Sequence, residues 1–146
     1  MRFAYPIEVK ALSPADGGGF IVEFPDWGSV VTDGGDMREA LENARDCLEE
    51  LIADRINRRE PIPRPSPAGN RMLMGPEAGL ALKAALWLGL QERGLDTTAL
   101  AHMLGDTSEQ QLRRLLDPRL KTHPERIHRA LAALGKRVVV ELVDAT

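Results

Sequence analysis

The sequence predicts an α+β chain: a small β-β-β-α-β unit followed by an all-helical unit that ends in a β-strand. Three observations carry that expectation. Apolar residues alternate or run in short stretches as far as Thr32 and then switch to a helical period. A proline-rich segment, REPIPRPSPAGN (Arg59–Asn70), then interrupts the chain, because alternate prolines forbid helix and favour an extended connection. Beyond it, short helical patterns are separated by glycines. Two units follow, 1–75 and 76–146.

In the first unit, FAYPIEV (Phe3–Val9) and GFIVEF (Gly19–Phe24) read as strands joined by the turn-rich LSPADGGG, and GSVVT (Gly28–Thr32) as a third strand after a Pro25-Asp26 turn. From Met37 the apolar residues Ala40, Leu41, Ala44, Cys47, Leu48, Leu51, Ile52 and Ile56 keep the spacing of one buried helix face. Arg38, Glu42, Arg45, Asp46 and Glu49 fall on the solvated face. A short fourth strand is expected at NRMLM (Asn70–Met74), with Met72, Met74 and later Met103 filling core space.

The second unit opens with LALKAALWLGLQER (Leu80–Arg93), apolar on most sides and therefore a buried scaffold helix. Asp96-Thr97 starts a helix that stops at Gly105. Another begins at Thr107 or Ser108, with Gln110 or Gln111 completing the capping pattern, and Asp117-Pro118 ends it. Two short helices joined at a glycine make a helix-turn-helix candidate. Pro124 to Leu134 forms a last helix ending at Gly135, and Val138–Val143 a terminal apolar strand. Since the helical unit offers that strand no partner, Val138, Val139, Val140 and Leu142 are expected to pair across a two-fold axis, giving a dimer or a higher even oligomer.

Charge divides the chain as well. Residues 1–75 carry 13 acidic against 9 basic side chains, net −4, whereas residues 106–137 carry 4 against 8, net +4. Different partners for the two ends are implied. A single cysteine, Cys47, rules out an internal disulfide framework. With no apolar run of the roughly 18 residues a membrane span needs, and no export signal in MRFAYPIEVK, a cytoplasmic protein without membrane contact is expected.

Glu23, Asp26, Asp33 and Asp36 lie within fourteen residues and raise the question of a metal-dependent nuclease. Two-metal chemistry needs carboxylates converging on ions about 4 Å apart. Local structure accounts for most of them: Asp36 with Glu39 forms a helix cap, Asp33-Gly34-Gly35 is a turn signal, and Asp26 sits in the turn Pro-Asp-Trp-Gly. Only Glu23, inside a strand, lacks a local role. His102, His123 and His128 show no metal-ligand spacing, and Cys47 falls on an apolar helix face. The expectation is no catalytic residue, no metal and no cofactor.

YPIEV, GGFIVEFPDWGSVVTDGGDMREALENARDCLEELI and EPIPRPS resemble the partial RNase H-like domain of HicB-type antitoxins. The resemblance implies a non-enzymatic domain that binds a small RNA-cleaving toxin of the HicA type, with Glu23, Asp26, Trp27 and Asp33 as candidate contacts. The second unit resembles the Cro/repressor-like helix-turn-helix at the C-terminus of some HicB antitoxins, which implies autorepression through operator DNA. Thr107, Ser108, Gln110, Gln111, Arg113 and Arg114 are then candidates to read the groove, and Arg119, Lys121 and Thr122 to contact phosphates. The usual pattern puts an apolar residue six after the turn glycine; this chain has Gln111 there and Leu112 one later, so the register is open by one position. A stand-alone regulator with an N-terminal sensing domain, and a metal-dependent RNase H-like nuclease, are the alternative readings.

Overall fold

The computed structural model describes residues 1–28 and 30–144. Four strands, β1 (Tyr5–Ala11), β2 (Phe20–Glu23), β3 (Val31–Gly34) and β4 (Met72–Met74), form one antiparallel sheet in the order β3-β2-β1-β4. Helix α1 (Met37–Arg58) lies across it. The face read from the sequence is the one that packs: Ala40, Ala44, Leu48, Ile52 and Ile56 are buried against Tyr5, Ile7, Val22, Phe24 and Trp27. Period 2 and period 3.6 meet there in one core.

The third strand begins later than the expected Gly28–Thr32. Pro25–Trp27 closes a 3-10 turn, and Gly28 adopts φ 74°, ψ −132°, a conformation open to glycine but not to a strand residue, so pairing starts at Val31. Ser29 lies outside the described residues. β3 and α1 then approach closely, because Gly34 has no side chain. A Cβ at that position would fall 2.2 Å from the Ala40 nitrogen.

The proline-rich segment is extended, as its composition dictates, but it is not slack. Tyr5 donates its hydroxyl to the Pro63 carbonyl at 2.8 Å, Arg55 donates to Pro61 at 2.8 Å, and Ser66 bonds to Asp26. From the other side, the Gln91 amide both accepts from Ile62 N–H and donates to its carbonyl, each at 2.9 Å, and Trp87 Nε1 donates to Glu60. Ile62 itself is buried. The segment is thus strapped between sheet and helices.

Helices α2 (Ala78–Glu92), α3 (Thr97–Leu104), α4 (Glu109–Leu116) and α5 (Pro124–Ala133) make up the remainder. Their core is Leu80, Ala84, Leu86, Leu88, Leu100, Leu112, Leu116, Ile127 and Leu131. Among the described residues no helix is long and apolar enough to cross a membrane.

Residues 136–144 carry no ladder within the single chain; the partner expected for Val138–Val143 is a second copy. Val139, Val140, Leu142 and Val143 stand exposed, Leu142 at 95%, while Glu141 pairs with Arg2 at 2.7 Å. The expectation for the methionines needs correction, because they divide. Met74 is core, but Met72 on the sheet's edge strand and Met103 on the outer side of α3 are exposed.

Candidate functional site

Bonds within the chain engage three of the four clustered carboxylates, each in a separate job. Asp36 caps α1, accepting from Glu39 N–H at 2.8 Å, and Glu39 reaches back to Gly35 N–H at 3.1 Å. Asp26 accepts from both the backbone N–H and the hydroxyl of Ser66, at 2.8 and 2.6 Å, and so fastens the strap to the turn before β3. Glu23 pairs with Lys10 of the neighbouring strand at 3.4 Å. Asp33 is exposed on β3, where its carbonyl accepts from Asn43 at 2.9 Å. Among the described residues no three His, Cys, Asp or Glu side chains are arranged to hold a metal ion.

Trp27 belongs to the core: 6% exposed, edge-on to Tyr5 at 5.4 Å, and covered by the Arg55 guanidinium at 5.4 Å. Of the four candidate contacts in the first unit, Glu23 and Asp33 therefore offer surface, whereas Asp26 and Trp27 are largely spent on internal bonds and packing. Tyr5 beneath them has its phenol pushed well above its ordinary range, first by burial and then by the nearby Asp26 charge. Burial likewise raises the Cys47 thiol, with Glu50 adding to it.

In the second unit, α3 and α4 are joined by a turn at Gly105, which takes φ 78°. Asp96 caps α3 through Ala99 N–H at 2.8 Å, and Ser108 with Gln111 forms a reciprocal capping box on α4 at 3.1 and 2.8 Å. Leu112, fully buried, is the residue that packs, while Gln111 faces out. The four-residue turn, 105–108, supplies the extra residue that the sequence pattern required.

This register separates the nine candidate DNA contacts. Thr107, Gln111, Arg114, Lys121 and Thr122 line one cleft of about 600 Å³, together with His123, Arg126 and Arg129. Arg113 and Arg119 lie on a different groove, of about 630 Å³, between α4 and the ends of α1, α2 and α3. Both are engaged internally: Arg113 with Glu109 at 2.6 Å, and Arg119 with Asp117 through its Nε, Nη2 and backbone N–H at 3.1, 3.0 and 2.9 Å. Those bonds from Arg119 hold the Asp117 carboxyl below the usual range. Ser108 is exposed but serves as the cap, and Gln110 is exposed on α4.

Sequence reasoning missed Arg126 and Arg129, although their i, i+3 spacing behind Pro124 puts them on one side of α5. Arg129 is anchored to Asp106 at 2.6 Å and to the Leu104 carbonyl at 3.2 Å. The arginine's hydrogen bond to Asp106 lowers that carboxyl's pKa. The cleft is thus a concave, cation-lined surface beside the start of a capped helix, suited to a phosphodiester backbone.

Comparison with known proteins identifies the family. The family model described as a HicB-like antitoxin of bacterial toxin–antitoxin systems matches residues 4–74. The Antitoxin HicB of Pseudomonas fluorescens is 31% identical over 115 residues, covering 77% of each chain. The chain belongs to the HicB antitoxin family. Other HicB relatives align over nearly the whole length: the Antitoxin HicB of Escherichia coli K12 at 29% identity across 95% of this chain and 99% of its own, and the Antitoxin HicB 1 of Photorhabdus laumondii at 28% across 94% and 86%. The family model ends at β4, whereas these HicB alignments continue through the helices.

Proposed function

We propose that this HicB-family chain neutralises a small HicA-like, mRNA-cleaving toxin through the unit formed by residues 1–75 and represses its own operon through the unit formed by 76–146. The observation that carries the reading is the segregation of charge. An acidic sheet-and-helix unit suits a basic RNA-handling partner, and the cation-lined cleft beside α4 suits a phosphate backbone. Neutralisation works by occlusion. The exposed edge strand β3, with Val31 and Asp33 on one side of it and Glu23 on the adjoining strand, is the surface offered to the toxin.

On the helical unit, Thr107, Gln110, Gln111 and Arg114 read the groove while Lys121 and Thr122 contact phosphate. Arg113 and Arg119, paired to Glu109 and Asp117, contribute less. The apolar run Val138–Val143, exposed at Val139, Val140, Leu142 and Val143, pairs with a second copy, which sets two helix-turn-helix units against two half-sites. The protein acts in the cytoplasm and without a cofactor.

Two experiments test the reading. The full chain, purified with the product of the adjacent reading frame, is expected to retain that product at low salt and to lose affinity for it as salt rises. Separately, the chain truncated after Lys136 is expected to sediment as a monomer and to bind the DNA upstream of its gene more weakly. A truncated chain that stays dimeric and binds normally overturns the role of the tail.

A further inference from the structure

Among the described residues, Lys83 is the one charged or polar residue that is buried, at 4% exposure. It sits in α2 among apolar neighbours, and its ammonium donates to the carbonyl oxygens of Asp117 and Leu120. Those are the first and fourth residues of the turn that follows α4, closed by Leu120 N–H to the Asp117 carbonyl at 3.1 Å. The Asp117 carbonyl lies at the C-terminal end of α4, where unsatisfied carbonyls carry partial negative charge, so the ammonium acts as an internal counter-ion. Arg119 locks the same turn from outside through the Asp117 carboxylate.

A buried ammonium is costly unless its protons are satisfied. Simple packing asks only for an apolar residue here, which would leave the two carbonyls without this donor. What the turn delivers is Lys121 and Thr122, the next two residues, which line the same basic cleft as Arg114. We propose that Lys83 is a positioning residue for nucleic-acid binding: it fixes the turn that holds Lys121 and Thr122 against a phosphate backbone in register with α4. The proposal rests on the reading of the helical unit as a DNA binder.

The test uses Lys83→Met in the full chain and a mixed-sequence duplex, since phosphate contacts do not depend on sequence. Affinity is followed over a range of salt concentrations. In the parent, Lys121→Ala is expected to reduce the salt slope by about one. Lys83→Met is expected to reduce it by a similar amount with unchanged helical content, and Lys121→Ala added to Lys83→Met to change little more. Parental slope in Lys83→Met, or full additivity, overturns the proposal. Lys83→Arg, which keeps the charge on a different geometry, runs the same cycle if the methionine variant is unstable. Amide exchange at Leu120, whose N–H closes the turn, provides a readout without DNA: acceleration confined to this turn supports positioning, and no acceleration overturns it. Failure of the parent to bind any duplex overturns the underlying DNA-binding reading instead, and the exchange result identifies which of the two has failed.

Discussion

Replacing Gly34 by alanine probes the contact on which the sheet-and-helix unit is built. The new Cβ would meet the Ala40 nitrogen at 2.2 Å, the Ala40 Cα at 2.6 Å and the Glu39 carbonyl carbon at 2.7 Å, all backbone atoms of the first turn of α1. Ordinary carbon contacts lie at about 3.5–4 Å, so the helix must retreat by about an ångström or more. That retreat pulls on the Asp36 cap at 2.8 Å and on the Asn43 bond to the Asp33 carbonyl at 2.9 Å. Overpacking costs about 1–3 kcal/mol, and a weakened cap and hydrogen bond add about 1 kcal/mol each. The expected loss is therefore about 3–5 kcal/mol, on the order of 10 °C in Tm for a chain of this size. Gly35→Ala is the internal control, because its Cβ meets only the flexible Glu39 carboxylate at 3.2 Å. Thermal melts followed by far-UV circular dichroism compare the two. If Gly34→Ala melts within about 2 °C of Gly35→Ala, the close approach of β3 and α1 is not what the structure describes.

Tyr5 is the only tyrosine, so its ionisation is read directly by absorbance at 295 nm. Its folded pKa is raised, hence the stability it contributes is complete below the unfolded value near 10 and declines as pH rises above it; phenolate should be absent from the folded chain at about pH 10.5 and present in urea. Free titration in the folded chain contradicts its burial. Arg114→Ala should weaken binding to a mixed-sequence duplex and lower the salt slope by about one, while Arg113→Ala, which removes a side chain paired with Glu109, should change the slope by less than about half of that. Equal effects would refute the division of the two arginines between clefts. Asp26→Ala removes both bonds to Ser66 and should destabilise by about 2 kcal/mol, with faster proteolysis at the strap; unchanged proteolysis would mean that Asp26 does not fasten it.

Most of the architecture was legible in the sequence because each element carried its own local signal. The helical period from Met37 to Ile56 fixed the buried face of α1, and a capping pattern narrowed the start of α4 to Thr107 or Ser108, of which the structure uses Ser108 with Gln111. What failed to show was whatever depends on distant residues. The strap looked like a linker because its bonds to Tyr5, Asp26 and Gln91 join positions far apart in the chain. Gly28 shifted β3 through a backbone conformation that composition does not encode. The terminal strand is a pairing preference without a partner in the single chain, so its apolar run appears as exposed surface. Lys83 was visible only as one polar letter in an apolar helix, and the two carbonyls that explain it lie more than thirty residues away.

Under the proposed function the acidic unit occludes an RNA-cleaving toxin. The most direct test of this reading is a titration of the purified full chain into the product of the adjacent reading frame with a labelled RNA as substrate. Cleavage should fall to zero at a fixed stoichiometry of antitoxin chain to toxin, and charge reversal of Asp33 and Glu23 to lysine should raise the amount of chain needed. Undiminished cleavage at excess chain, with no complex detected by calorimetry, would contradict the account.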